Sequence, residues 1–362
     1  HCWGAPSYVP NSYYPNAEHR EAGKAAKADL SDLDKKVAIM FTGRINDPVV
    51  AEELIKGGYC DLVGMVRAGI ADPEFAIKAR EGRLNEIRRC IACTRCIDEA
   101  SESLYIPYTP VCSINPVIGN ELRWEKEYTP AARPKRVVVV GGGLAGCEAA
   151  RIAAQRGHKV SLLEQGKRLG GQLLIASKAP GRDSFEDQVY FEENEMKRTG
   201  VDVRLESRAD IAAIRALKPD AVVIATGAVP RVPHDVSGLD QPHVVYGWDV
   251  MQGKAQTGKR VAIVSQEDYY ETPGVADYLA SKGKEVTVFL KGAHIGKEIA
   301  RYSVGMTLAR MESLGVTTVP NVTLTKIDAK GLDFDSAFGG KTYRHEGFDT
   351  VVLVYGAVAQ PD

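Results

Sequence analysis

Six residues, Gly141-Gly142-Gly143-Leu144-Ala145-Gly146, constrain this chain more than any other feature. They follow a run of four valines, Val137 to Val140, that reads as a buried strand, and they precede a helical pattern through Arg156. Val160 to Leu163 reads as the next strand and ends at Glu164, 18 residues past the last glycine. Gly141-x-Gly143-x-x-Gly146 between strand and helix, with an acid closing the following strand, is the dinucleotide fingerprint in its required context. The glycines permit a tight turn and close backbone approach, and the helix N-terminus then faces a pyrophosphate. Glu164 is placed to accept hydrogen bonds from a ribose. The alternative is a glycine turn selected for packing alone. Gly171 and Gln172 follow soon after, where paired glycines admit either a flavin ribityl chain or a plain turn. Ala221 to Ala225 reads as a strand running into Thr226-Gly227, at the sheet edge where open α/β folds bind ligands.

A second strand–turn–helix–strand pattern begins near residue 258, with strands at Val261 to Val264 and Val286 to Leu290 and a helix at Pro273 to Ala280. Its turn reads Ser265-Gln266-Glu267-Asp268-Tyr269-Tyr270, with two carboxylates and no glycine. Carboxylates repel a pyrophosphate, and side chains block the backbone approach. This unit is therefore expected not to bind NAD(P)H in the usual way. Val351 to Val354 reads as a last strand. The order predicts a dinucleotide-binding Rossmann-like domain at 133–257, interrupted by a second, degenerate nucleotide-binding-like domain at 258–345 and completed by a return strand in 346–362.

Between the glycine turn and the N-terminal segment lies a cysteine-rich stretch, 89–132, with Pro107, Pro110, Pro116 and Pro130, which reads as a loop-rich connector. Four of the seven cysteines fall here: Cys90, Cys93, Cys96 and Cys112. Thiolates suit iron–sulfur clusters and zinc alike. Zinc sites pair cysteines at wide separations, whereas three at two-residue gaps with a distant fourth fit one [4Fe–4S] cluster. Zinc and unligated thiols remain the alternatives. Arg88, Arg89 and Arg95 either offset the cluster's negative charge or pair with nearby carboxylates.

The odd, clustered cysteine count points to a reducing compartment, and the reading is cytoplasmic. A net charge of −1 implies neither nucleic acid nor an anionic membrane. No apolar run reaches the ~18 residues of a membrane span. The opening His1-Cys2-Trp3-Gly4 is no signal peptide, and a start inside a domain, as in a fragment, is the expectation.

Residues 1–88 contain two βα patterns. Val37 to Phe41 reads as a strand; Asp47 as N-cap and Pro48 at the first turn open a helix with Val50, Ala51, Leu54 and Ile55 as its buried stripe. Leu62 to Val66 reads as the second strand, and Asp72-Pro73 opens a helix with Phe75, Ile77 and Leu84. Such units suit the end of a (β/α)₈ barrel or a doubly wound sheet.

These segments resemble, in order, the multidomain branch of Old Yellow Enzyme relatives, which includes 2,4-dienoyl-CoA reductase, trimethylamine dehydrogenase, histamine dehydrogenase and N-demethylases. The resemblance runs through Gly43-Arg44-Ile45-Asn46-Asp47-Pro48, Gly64-Met65-Val66-Arg67-Ala68-Gly69-Ile70-Ala71-Asp72-Pro73, Cys90-Ile91-Ala92-Cys93, Val137 to Gly146, Arg168-Leu169-Gly170-Gly171-Gln172 and Ala225-Thr226-Gly227-Ala228. It implies the end of an FMN-binding TIM barrel at 1–88, with Gly43, Arg44, Gly64 and Arg67 at the FMN phosphate. It also implies a [4Fe–4S] cluster on Cys90, Cys93, Cys96 and Cys112, and FAD or ADP on the glycine-rich domain. The earlier barrel strands, with the catalytic residues they would carry, are not in the sequence. Three functions follow as expectations. One is oxidation of a small methylated amine, with an electron-transfer flavoprotein as acceptor. The second is NAD(P)H-dependent reduction of an enoate or dienoyl-CoA. The third is a non-catalytic electron-transfer module. A homodimer is among the assemblies the chain allows.

Overall fold

The computed structural model describes residues 9–31, 37–102, 110–299 and 301–360. The opening His1-Cys2-Trp3-Gly4, Pro107 of the connector and the closing Pro361-Asp362 lie outside them. The chain divides into two compact units, one formed by His1–Leu173 with Ser184–Ala225, the other by Leu174–Asp183 with Thr226–Asp362. Among the described residues no helix is long and apolar enough to cross a membrane.

In the first unit, β1 (Met40–Thr42) and β2 (Leu62–Gly64) pair in parallel, with Phe41 opposite Val63. Helix Pro48–Lys56 joins them. Its Asp47 N-cap accepts the Val49 N–H at 2.9 Å, and Pro48 occupies the first turn, as expected. Ala51 and Leu54 are buried, but Ile55 of the expected stripe is exposed. After β2 the chain forms a short helix, Val66–Ala71, before the one expected past Pro73, now Phe75–Arg80. The connector is less loop-like than its prolines suggested and carries helices Arg95–Glu102 and Glu121–Glu127.

The same unit then builds a parallel sheet in the order β5-β4-β3-β6, from β3 (Arg136–Val140), β4 (Lys159–Leu163), β5 (Asp202–Arg204) and β6 (Ala221–Ile224). The valine run is central and buried on both faces. Val137 and Val139 pack with Cys147, Ala150 and Met196 of helices Leu144–Gln155 and Phe185–Thr199. Val138 and Val140 pack on the other face with Leu163 and Ile214. An interior parallel strand flanked on both sides needs such an unbroken apolar run.

The second unit holds β7 (Ala228–Pro230), β8 (Val244–Tyr246), β9 (Arg260–Ser265), β10 (Glu285–Leu290) and β11 (Thr317–Val319). It continues with β12 (Val322–Ile327), β13 (Gly331–Ser336), β14 (Thr342–Glu346), β15 (Thr350–Val354) and β16 (Ala357–Ala359). Its main sheet runs β11-β10-β9-β15-β8, all parallel. Val261 and Ile263 face helix Glu271–Ala280 through Val275 and Leu279. Ala262 and Val264 face the antiparallel β12-β13-β14 sheet, where Phe289 stacks on Phe334 at 4.4 Å.

This topology corrects one expectation. Val351 to Val354 does not return to the glycine-turn sheet; it lies between β9 and β8. Every residue of β15 is buried, which only a slot with parallel neighbours and two covered faces satisfies. The boundaries expected at 257/258 and 345/346 move accordingly, since β8 and β15 both belong to the second sheet. Beyond β15, β16 pairs antiparallel with β7 within the second unit, with Val229 opposite Val358.

Candidate functional site

The glycine turn of the first unit is built as its sequence requires. Gly141 adopts φ 103°, where a side chain is strained. A Cβ on Gly146 would overlap the Gly141 carbonyl oxygen, so helix Leu144–Gln155 can approach β3 this closely only with glycine there. Gly143 stands at the N-cap and faces open space, where an added Cβ meets nothing within 4 Å. The first N–H groups of the helix, with their positive end of the dipole, therefore border room for an anion.

Gly170 and Gly171 abut this turn. The Gly170 N–H donates to the Gly142 carbonyl at 2.8 Å, and a Cβ on Gly171 would lie 3.1 Å from Gly143 Cα. Glu164 binds both sides of the gap. Its carboxylate accepts the Gly142 N–H at 2.6 Å and the Gly166 N–H at 2.5 Å. The predicted ribose ligand thus also ties the turn to the loop after β4. The structure gathers Gly141, Gly143, Gly146, Glu164 and Gly171 about one turn. Gln172 follows at the head of the short helix Gln172–Ala176. Thr226 and Gly227 belong to the second unit, where the Gly227 carbonyl accepts from the Gln360 N–H at 3.0 Å.

The second candidate site in the first unit is a cavity of about 420 Å³ beyond the ends of β1 and β2. Gly43, Arg44, Gly64 and Arg67 line it together with Cys90 and Cys96. Gly43 (φ 148°) and Arg44 (φ 46°) form a turn with positive φ. Arg44 Nη1 donates to Ser12 O at 3.0 Å, and Arg44 Nη2 lies 3.4 Å from Ser184 Oγ, which donates to Ile91 O. Arg67, half-buried, keeps a buried Nη1 with no partner among the described residues. A buried guanidinium N–H left this way is costly and fits an anionic ligand in the cavity.

Asn46 ties the two halves of this site, donating from Nδ2 to the Cys90 carbonyl at 2.5 Å. It stood within the quoted family string, yet its spacing to Cys90 gave no signal of contact. The cysteine loop is tightly wound, with Ala92 (φ 53°) and Thr94 (φ 63°) both left-handed. Cys90, Cys93 and Cys112 pack with Ile91 and Ile114. The Cys90 sulfur accepts the Ala92 N–H at 3.4 Å, and the Cys93 thiol donates to Ser113 Oγ at 3.3 Å. Burial pushes the Cys90 thiol up to about 11. Burial, then repulsion from Cys90, Cys93 and Cys112, pushes Cys96 up to about 12, while Arg67 pulls both down. The Cys112 thiol is raised by burial and held back by the Ile114 and Asn115 N–H groups. Cys90, Cys96 and Cys112 therefore share one electrostatic environment that calls for added positive charge before they ionise. Among the described residues no group of three or more His, Cys, Asp or Glu is arranged to hold a single metal ion.

The arginines beside the cysteines pair with carboxylates: Arg88 with Glu148 at 3.1 Å, Arg89 with Asp47 at 3.0 Å, and Arg95 with Glu99 at 2.5 Å. Behind Arg88 lies a buried network that the sequence did not announce. Glu148 also binds Arg151, and the Glu192 carboxyl is pushed up to about 7 by burial and by Glu148.

In the second unit the turn after β9 points its carboxylate inward. Glu267 accepts the Tyr269 N–H at 2.7 Å, the Thr272 N–H at 3.1 Å and the Thr272 hydroxyl at 3.2 Å.

The sequence pattern of the family described as pyridine nucleotide-disulphide oxidoreductase matches residues 135–362. The chain is 39% identical over 289 residues to the N,N-dimethylglycine/sarcosine dehydrogenase of Chromohalobacter salexigens, covering 77% of this chain and 40% of that protein. It is 37% identical over 310 residues to an NADH oxidase of Thermoanaerobacter brockii, covering 84% and 47%. Among solved structures, a 2-naphthoyl-CoA reductase in complex with 2-naphthoyl-CoA superposes with a TM-score of 0.87 at 31% identity, over 96% of this chain and 51% of that one. The chain thus spans about half the length of the relatives it matches.

Proposed function

From the premise that this chain belongs to the pyridine nucleotide-disulphide oxidoreductase family and has relatives in the multidomain branch of Old Yellow Enzyme-like enzymes, we propose that it is the electron-handling part of a flavin and iron–sulfur amine dehydrogenase. The observation that carries this reading is the shared cavity, in which the FMN-phosphate candidates Gly43, Arg44, Gly64 and Arg67 meet Cys90 and Cys96. In this reading β1 and β2 are the last strands of an FMN-binding barrel. Their exposed apolar side chains, Met40 at 64% and Leu62 at 50%, with Val66 at 74% just past β2, suit a surface that further barrel structure covers.

When bound, FMN would accept a hydride equivalent from the substrate, a [4Fe–4S] cluster would pass single electrons onward, and FAD or ADP would occupy the glycine turn. The residues present fit these groups. Arg67, whose buried Nη1 has no partner among the described residues, and Arg44 at the turn after β1 would hold the FMN phosphate, and Gly43 and Gly64 keep side chains out of its way. Cys90, Cys93, Cys96 and Cys112 would hold the cluster, with N–H donors to the Cys90 and Cys112 sulfurs already placed. Hydrogen bonds of this kind, together with charges such as Arg67, set a cluster's potential. Gly143 and the helix behind it would receive the nucleotide pyrophosphate, and Glu164 its ribose.

The amine reading rather than a reductase rests on the second unit, whose nucleotide turn is filled by Glu267. The acceptor would be an electron-transfer flavoprotein and the compartment the cytoplasm. Likeness to 2-naphthoyl-CoA reductase favours the second reading, NAD(P)H-dependent reduction of an enoate or dienoyl-CoA. Anaerobic stopped-flow on the full-length protein separates them. Flavin bleaching by sarcosine or dimethylglycine, and none by NADH or NADPH, is the expected outcome. Bleaching by NADH and not by methylated amines would overturn it. C90S and C112S are expected to lose bound iron and the cluster's electron paramagnetic resonance signal. Full iron content in both would remove these cysteines as ligands.

A further inference from the structure

The second unit disagrees with the ligand its fold implies. β9, helix Glu271–Ala280 and β10 form a strand–helix–strand unit in a parallel sheet, the arrangement that places a dinucleotide pyrophosphate at the helix N-terminus. A helix start exposes four N–H groups and the positive end of a dipole. In the first unit that end is open beside Gly143. In the second it is met from within the chain.

Glu267 reaches forward along the turn. One carboxylate oxygen accepts the Tyr269 N–H, and the other accepts both the Thr272 N–H and the Thr272 hydroxyl. Thr272 is fully buried, and its hydroxyl lies 2.6 Å from Ser265 Oγ at the end of β9. Ser265 Oγ in turn lies 3.0 Å from the Glu267 carbonyl and 3.2 Å from its N–H. Strand end, turn and helix start are therefore locked around one carboxylate. The neighbouring Glu271 carboxyl is pushed up to about 7 by burial and by Glu267. Near neutrality the turn thus resists a second full negative charge.

We propose that Glu267 is a built-in stand-in for the dinucleotide pyrophosphate, and that it is the residue that closes this unit to pyridine nucleotides. The glycines that would let a ligand approach are replaced, and the anion that the helix calls for is supplied covalently. The unit then keeps its fold with no nucleotide present. The inference deepens the amine reading and rests on it only in taking NAD(P)H not to be the reductant.

The test is hydrogen–deuterium exchange on the full-length holoenzyme, followed at the segment 266–275, with inorganic pyrophosphate and NADH as probes. Wild-type protein is expected to show no added protection from either. In E267G, loss of the capping carboxylate is expected to speed exchange in this segment about tenfold, the size of a lost helix cap. Millimolar pyrophosphate is expected to return it toward the wild-type rate. E267Q keeps the length and an acceptor oxygen but not the charge, so about a threefold rise is expected, with a smaller pyrophosphate response. If E267G does not fold, the E267Q response decides. Added protection of the wild-type segment by NADH or pyrophosphate overturns the proposal. So does a folded variant whose exchange ignores pyrophosphate. Because the readout is local to one helix, it can fail while amine-driven bleaching succeeds, and the reverse.

Discussion

The two nucleotide-type turns of this chain share a scaffold and differ in where one glutamate points. In the first unit the turn is glycine, the helix start is open, and Glu164 stands behind, holding the Gly142 and Gly166 N–H groups. In the second the turn is polar and aromatic, and Glu267 lies in front, bonded to the helix start itself. Both units keep an apolar parallel sheet and a packed helix, so the fold does not depend on which arrangement is used. Ligand competence is a local property of a few atoms at the end of one strand, and a family-level match cannot report it.

The sharpest way to break this comparison is G146A. The added Cβ would overlap the Gly141 carbonyl oxygen, and backbone has no rotamer with which to yield. The expected result is destabilisation of about 3 kcal/mol, together with loss of the FAD or ADP proposed for the glycine turn. Thermal melting and the adenine-nucleotide content of purified protein check it. Normal nucleotide content and an unchanged midpoint would mean that helix and strand are further apart than described.

The pH dependence of the second turn comes next in size. Glu271 is raised from the usual carboxyl range to about 7, first by burial and then by Glu267. The folded protein therefore binds a proton that the unfolded chain has released between about pH 4.5 and 7. The corresponding stability is present below that window and is lost as pH rises through it, up to about 3 kcal/mol in all. E271Q is expected to flatten this slope. Glu192 is raised similarly in the first unit, so E192Q removes a separate slope. Urea melts of both variants at pH 5 and pH 8 distinguish the two. An E271Q slope equal to wild type would show that Glu271 ionises freely in the folded state.

What the sequence made legible follows the same division. The glycine positions, the Asp47 cap, the valine run and the clustering of the cysteines depend on local spacing, and the structure keeps them. The slot of Val351–Val354 was not legible. An unbroken apolar run satisfies the interior of either parallel sheet, and only tertiary pairing with β9 and β8 decides between them. The charges at Glu267 and Asp268 were visible, but their direction was not. Spacing showed a carboxylate that would repel an anion, whereas the structure shows Glu267 bonded to the Thr272 N–H at the helix start. For the same reason the pairing of Arg88 with Glu148, 60 residues apart, could not be read from sequence.

E164Q tests the first turn more gently. The amide still accepts one N–H but offers no charge to both Gly142 and Gly166. Hydrogen bonds to charged acceptors contribute about 1.5–3 kcal/mol each, and part of this remains with glutamine, so a net loss of about 1–2 kcal/mol is expected. Retention of the bound FAD or ADP through gel filtration should fall with it. Retention equal to wild type would leave Glu164 with no part in holding the turn or the ribose.

The smallest expected effect is the most discriminating, because it repeats the glycine-to-alanine change in the other unit. Gly274 lies in the first turns of helix Glu271–Ala280, and an added Cβ would meet the Ala179 methyl at 3.3 Å and nothing of the backbone. Alanine is favoured over glycine in a helix by about 1 kcal/mol, while a slightly tight methyl contact costs a similar amount. G274A is therefore expected to shift stability by less than about 0.5 kcal/mol in either direction, with flavin and iron content unchanged. The same substitution would then disable one unit and pass unnoticed in the other. The cause would be that the first helix must approach its strand turn closely for a ligand to reach the backbone. The second, capped from within, is under no such demand. A loss at Gly274 comparable to that at Gly146 would show that both turns remain under one packing constraint, and the contrast between them would have to rest on Glu267 alone.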